Sequence, residues 1–405
     1  MAGKDEAVIA IGNSATIQQE RSTPLAKMLT PIVISVFAAY LTIGITLGIL
    51  PVFVKNNLGF DSLVVGLVIG AQSLATLLTR AYAGRITDTR GANISNRQGI
   101  LMVLIAGMLY MLVGAVSGFR PWALGLLIVS RIVHGISESM LVTGALTWGI
   151  GLVGQQNSGK VMTWNGIAMY AGIAIGAPFS IWLVNAFGVT LAFASVIVLS
   201  LVSWWATAQL PVLAVDPSHV RPPFYKVIGQ VSGQGLALAF SSMGFACIAS
   251  FIALFFAAEN WHNASLGFFC FGACYILTRV FFAYFPDKYG GYKVAMVSFM
   301  IEIIGQLCIG FSNSGPIAIL GCALTGIGFS LVFPSLGVLV IKKVPPQTRG
   351  TALGAYAAFF DLSLGLAGPI AGIVAQYFNY HAIYLVAATS CLLAFLILLT
   401  KQNNK

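Results

Sequence analysis

The sequence predicts an all-α membrane protein of 12 transmembrane helices arranged as two six-helix repeats. Three observations predict it: the composition, the recurrence of long apolar runs, and a pattern that occurs twice at a fixed offset. Of 405 residues, 58% are hydrophobic and only 8% charged, and mean hydropathy is +0.91. A soluble domain averages roughly a quarter charged, so this chain lacks the polar residues to cover a water-facing surface. Apolar runs of 18 or more residues recur along the whole length, the signature of membrane-crossing helices.

Residues 1–29 are mixed and polar, with Gln18, Gln19, Glu20 and Arg21 and no apolar core that would serve as a cleavable signal. They are expected to be a tail. Apolar windows then place six spans at about 30–53, 62–84, 99–118, 122–150, 162–186 and 189–210, with edges of about ±3 residues. A polar stretch with Pro211, Asp216, Pro217, Pro222 and Pro223 follows. Proline and charge together stop a helix, so 211–228 is the linker between a first bundle (30–210) and a second (229–400). The second holds spans at about 229–257, 264–285, 294–312, 317–340, 351–374 and 382–400, before a tail at 401–405. Other connections are short, such as Phe187-Gly188, and leave little room for a domain outside the membrane.

The repeat is legible in register. Thr79-Arg80, seven residues, then Asp88-Thr89-Arg90-Gly91 matches Thr278-Arg279, seven residues, then Asp287-Lys288-Tyr289-Gly290, at an offset of 199. At an offset of 191, Gly135 matches Gly326, Tyr170 matches Asp361, and Pro178 matches Pro369. Duplicated hydropathy marks a transporter whose halves rock about a central site.

The net charge of +10 excludes a nucleic-acid role once it is mapped. Sixteen of the 21 Lys and Arg fall in tails and connections on one side of the predicted membrane, two (Lys55 and Arg120) on the other, and three (Arg80, Arg131 and Arg279) in spans. By the positive-inside rule both termini and the linker are cytoplasmic. The six cysteines all lie in second-half spans, with no His or carboxylate placed to complete a metal site. No Gly-x-x-x-x-Gly-Lys-Ser/Thr loop is present, so no nucleotide cofactor is expected.

Intramembrane polar residues are the functional candidates, because an ion at the bilayer centre costs at least ~2.5–3.5 kcal/mol unless paired or hydrated. Arg131, His134 and Glu138 share one face of span 4 by their spacing. Asp361 falls about ten residues into span 11, roughly 15 Å of helix rise and so near the midplane. A lone carboxylate there must be protonated or paired, which suits a proton carrier. Glu302, similarly deep in span 9, is expected to be structural. Tyr40, Trp164, Asn165, Tyr170, Tyr356 and Phe360 lie at depths that would line a cavity. Gly172, Gly176 and Pro178 in span 5, matched by Gly368 and Pro369 in span 11, allow close packing and a bend.

The loop Gly84-Arg85-Ile86-Thr87-Asp88-Thr89-Arg90-Gly91 resembles the signature Gly-x-x-x-Asp-x-x-Gly of the major facilitator superfamily, with a degenerate copy at 283–290. It departs at Ala92-Asn93, where basic residues are usual and Arg97 stands nearby. The resemblance covers essentially the whole chain and implies a cytoplasmic gate at Gly84, Asp88, Arg90, Gly91 and Asp287. Arg131-x-x-x-Gly135 is similar to the family's span-4 element tied to proton transfer, and Gly172-x-x-x-Gly176-Ala-Pro178 to its antiporter motif. Arg131–Glu138, Trp164-Asn165-Gly166, Glu302-Ile303-Ile304-Gly305, Phe329–Pro334 and Phe360–Gly365 resemble YhhS-type permeases of the drug:H⁺ antiporter branch. That resemblance implies a bacterial inner-membrane exporter, here expected as a monomer, with a small organic solute and protons as its partners. Glu138, Asp361, Arg131 and His134 would then carry the coupling. An uptake permease and a transporter-like receptor that moves nothing are the alternatives.

Overall fold

A computed structural model describes residues 25–403 apart from 117, 155–156, 214–223 and 345–348; the side chain of Asp287 and a few others also fall outside the description. Every regular element among the described residues is helical. Eleven helices are long and apolar enough to cross a membrane. One of them, Ser158–Thr207, runs 50 residues but is broken at Gly188, where φ is 80° and ψ 168°. Fifty residues would span about 75 Å, more than twice a ~30 Å hydrocarbon core. The break therefore turns one element into two passes, as Phe187-Gly188 predicts, and the passes number 12.

In chain order these are α1 (Leu25–Val52), α2 (Ser62–Thr89), α3 (Ala92–Ala115), α4 (Arg120–Val153), α5 (158–187), α6 (189–207), α7 (Phe224–Ala258), α8 (Ala264–Phe282), α9 (Gly291–Gly310), α10 (Gly315–Lys343), α11 (Arg349–Tyr377) and α12 (Tyr380–Asn403). A one-turn π-helix, Phe53–Asn57, extends α1, and a short helix, Phe285–Tyr289, precedes α9. Helices outrun the hydropathy windows at polar ends. The five residues 25–29, expected in the tail, begin α1, and 224–228, expected in the linker, begin α7. The signature stretch Gly84–Thr89 is the last turns of α2 rather than a loop, because backbone hydrogen bonding continues where the side chains turn polar.

The pairings repeat. In the first half α1 packs on the Ser158–Thr207 element, and α2 and α3 on α4; in the second, α7 packs on α11 and α12, and α8 and α9 on α10. The halves meet mainly along two seams, α2 with α11 and α5 with α8. Glycine builds the first seam. A Cβ on Gly66 would strike the carbonyl of Gly368, and one on Gly372 the carbonyl of Ser62. Pro369 removes the amide that would have bonded the Gly365 carbonyl, and that carbonyl instead faces Gly70. Gly172 and Gly176 face Leu41 and Gly44 of α1, inside the first half. Gly91 and Gly290, matched in the repeat, hold φ of 111° and 87° at the start of α3 and α9, a region that favours glycine.

Candidate functional site

Between the halves lies a cavity of about 60 Å³, with room for a few waters in this conformation. The walls come from α1, α2, α4, α5, α7 and α11 and include Tyr40, Gln72, Arg131, Glu138, Tyr170, Phe245 and Phe360. Of the expected lining, Tyr40, Tyr170 and Phe360 are there. Trp164 lies off this wall, half exposed; Asn165 is buried away from it with Oδ1 unpartnered; and Tyr356 is buried with its hydroxyl donating to Phe333 O at 3.1 Å. Hydropathy gives a residue's depth along a helix but not the direction it faces.

Glu138 accepts from Tyr40 Oη at 3.1 Å, Gln72 Nε2 at 2.9 Å and Thr76 Oγ1 at 3.3 Å. Arg131, two turns away along α4, donates to Val68 O at 3.2 Å, Ile69 O at 3.1 Å and Thr46 Oγ1 at 3.2 Å. The two share a helix but do not pair, since each is claimed by α1 and α2 at its own level. His134 lies between them with both nitrogens engaged, Nε2 with Thr42 Oγ1 at 3.0 Å and Nδ1 with Tyr110 Oη at 3.2 Å. It reads as a packing group bridging α1, α3 and α4.

Asp361 is 3% exposed and joins the two halves. Arg80 of α2 binds it side-on, Nε to Oδ2 at 2.5 Å and Nη2 to Oδ1 at 2.9 Å. Sequence reasoning placed Asp361 at depth but missed Arg80. The pair sits on the terminus-bearing side of the cavity, two turns beyond the lining residues Gln72 and Ser73, and the Arg80 side chain is 22% exposed there. Glu138 is within electrostatic reach of both charges.

The other seam is aromatic. Tyr170 of α5 stacks on Tyr275 of α8 at 3.7 Å between ring centroids, with Phe245, Phe271 and Phe329 around it. These rings fill the space between the halves and explain the small cavity. Arg279, the repeat mate of Arg80, donates to Ser330 O at 3.2 Å and lies over the Tyr275 ring at 5.1 Å.

Of the expected gate, Asp88 is half-buried in the last turn of α2, Arg90 is exposed, and Gly84 and Gly91 are buried. Arg97 donates to Ala208 O at 3.3 Å and so ties α3 to the end of α6 rather than standing in for the signature's basic residues. Glu302, 0% exposed, accepts from Ser241 Oγ at 2.6 Å and the Cys391 thiol at 3.3 Å, away from the cavity. At the end opposite the termini, Lys55 of the π-helix reaches the hydroxyl of Tyr380 in α12, which lies 3.3 Å from Ser62 Oγ.

Known proteins agree with this architecture. An uncharacterized MFS-type transporter of Burkholderia mallei (strain SAVP1) is 41% identical over 355 residues, 87% of each chain. One of Salmonella typhimurium (strain LT2) is 40% identical over 362 residues, 89% of this chain and 92% of its own. Among solved structures, the nucleoside transporter NupG (D323A mutant) superposes with a TM-score of 0.74 at 16% identity, covering 92% of this chain and 99% of its own. The human organic anion transporter MFSD10 gives 0.71 at 16%, covering 93% and 100%. The Major Facilitator Superfamily model matches residues 32–258 and 234–405, so this chain belongs to the major facilitator superfamily and is a multi-pass membrane transporter.

Proposed function

We propose that the protein is a proton-coupled antiporter that exports a small organic solute by alternating access. In this reading it belongs to the drug:H⁺ antiporter branch, akin to YhhS-type permeases, and works as a monomer in a bacterial inner membrane with both termini cytoplasmic. The observation that carries the proposal is the Arg80–Asp361 pair, the charged link across the α2–α11 seam. An ionised Asp361 holds α2 to α11 beneath the cavity. A protonated one gives up the ionic bond, and the seam can open toward the termini.

Protons and conformation are thus linked through one carboxylate that both halves touch. Glu138 is a second candidate carrier, held by neutral donors only. Asp88 and Asp287, at matched ends of the repeat, would latch the cytoplasmic side in the outward-facing state.

Spin labels at two exposed sites, Thr89 and Lys342, in a background without the native cysteines would report the separation of the halves in nanodiscs. We expect it to grow on acidification in the parent, and to be large at every pH in Asp361→Asn. A pH response unchanged in Asp361→Asn would remove this residue from the coupling. Direction is read separately: cells without the protein should accumulate an exported solute, and should fail to take up an imported one.

A further inference from the structure

Three groups on the cavity wall are chemically incomplete. Arg131 is 2% exposed and bonds only neutral oxygens; among the described residues no carboxylate lies within 4.0 Å of it. Those bonds use three of a guanidinium's five N–H donors, and the Tyr110 hydroxyl lies within reach of a fourth. Glu138, half-buried, bonds three neutral donors and has no Lys, Arg or His nitrogen within 4.0 Å among the described residues. Gln72, 2% exposed, gives its amide N–H to Glu138, but its Oε1 has no partner. All three line the same cavity. Asp361 cannot complete Arg131, because it is committed to Arg80.

A buried ion is stable only with a counter-charge or a full set of hydrogen bonds, and a buried acceptor needs a donor. Arg131 and Glu138 lie seven residues apart on α4, about 10.5 Å along the axis. The cavity therefore offers a cation toward the end opposite the termini and a carboxylate with an amide oxygen toward the termini. Ile43, Leu47, Met169 and Phe245 form apolar wall between. A simple anion would leave Glu138 without a counter-charge and Gln72 Oε1 without a donor, and a simple amine would leave Arg131 without a counter-charge.

We infer that the cargo is an elongated zwitterion, with its anionic group at Arg131, its ammonium at Glu138 and Gln72, and an apolar body between. This rests on the transport reading above. In the present conformation the site is contracted, so binding must part the aromatic side chains around Tyr170.

The test uses the full chain in nanodiscs, with empty discs as control, and isothermal titration of four probes: 8-aminooctanoate, octanoate, octylamine and 4-aminobutyrate. We expect 8-aminooctanoate to bind at least tenfold tighter than the other three. Gln72→Leu should weaken 8-aminooctanoate and octylamine severalfold and leave octanoate unchanged, a pattern that general damage to the fold would not produce. Arg131→Lys, which keeps the charge, should retain the preference for the zwitterion. Octanoate binding as well would reduce the site to an anion site, octylamine binding as well to a cation site, and 4-aminobutyrate binding as well would remove the spacing; each overturns the inference. So does failure of all four to bind. The acid-induced separation of the spin labels tests the transport reading independently of any of these results.

Discussion

The two seams between the halves occupy equivalent places in the repeat and are built from different chemistry. Arg80 on α2 and Arg279 on α8 are the same position in the two copies, as are Asp361 on α11 and Tyr170 on α5. On the α2–α11 seam this position is a side-on ion pair beside glycine backbones in contact. On the α5–α8 seam, Tyr170 stacks on Tyr275, and Arg279 rests on a carbonyl and a ring. Duplication placed an arginine on both seams and a carboxylate on one. In the reading proposed above a proton opens the first, whereas the second joins aromatic rings and an arginine with no carboxylate bonded to it among the described residues. In the transport cycle proposed above, the first seam would be the contact that yields and the second the one that pivots.

The largest test is mechanical. Gly66→Val puts a side chain where the Gly368 carbonyl already sits. Backbone cannot give way as a side-chain tip can, so the far end of the α2–α11 seam must part. Overpacking costs ~1–3 kcal/mol and sometimes more, which shifts a two-state balance by about 5–150-fold. A cysteine on Ser62, which is buried, should become labelled in the valine variant and stay protected in the parent. Equal protection in both would show that this glycine contact does not hold the far end shut.

Next in size is the ion pair. In a double-mutant cycle with Arg80→Met and Asp361→Asn, read by thermal unfolding in nanodiscs, each single change leaves a charge or polar group unpaired. Removing one partner of a fully buried pair costs ~3–5 kcal/mol; with Arg80 22% exposed we expect about 2–3, and the two changes should not add. The coupling exists only while Asp361 is ionised, so it should be present at high pH and shrink as pH falls. A coupling that is additive, or constant in pH, would break the distinction between the seams.

Much of this was legible beforehand, and the parts that were not share a cause. Twelve passes, the duplication and the depth of Asp361 follow from hydropathy and register, which are properties of one strand of sequence. The glycine at 91 was legible as a motif, and its φ of 111° supplies the reason. Arg80 was missed because its partner lies 281 residues away, and no local window relates them. A signal was nonetheless present: two arginines matched at 199 and a Tyr–Asp mismatch at 191, on helices that a two-fold arrangement brings face to face. Trp164 and Tyr356 failed differently. Azimuth about the helix axis is set by packing partners that a single helix does not specify.

A third change probes the neutral seam. Arg279→Met removes a cation–ring contact, worth ~0.5–2 kcal/mol, and one hydrogen bond to a carbonyl, worth about 1. The expected loss is about 1.5–3 kcal/mol in the same unfolding measurement. Unlike the Arg80 cycle it should be the same from acid to neutral pH, because no carboxylate is bonded to it among the described residues. A pH-dependent loss would mean that Arg279 finds an ionisable partner in some conformation, and that both seams respond to protons.

The smallest effect tests whether the far end is held by its backbone or by its polar latch. Lys55 both bonds the Tyr380 hydroxyl and lies over its ring at 4.8 Å from the centroid. Tyr380→Phe keeps the ring and deletes only the hydroxyl, which also neighbours Ser62 Oγ at 3.3 Å. A single half-exposed hydrogen bond is worth ~0.5–1.5 kcal/mol, against the larger penalty expected for Gly66→Val a short distance along the same seam. Labelling of Ser62→Cys should therefore rise by no more than about tenfold in Tyr380→Phe. If it rose as far as in Gly66→Val, the latch rather than the glycine contact would be what closes that end. The ion pair and the latch would then be two polar locks at opposite ends of one seam, with the glycines only permitting the approach.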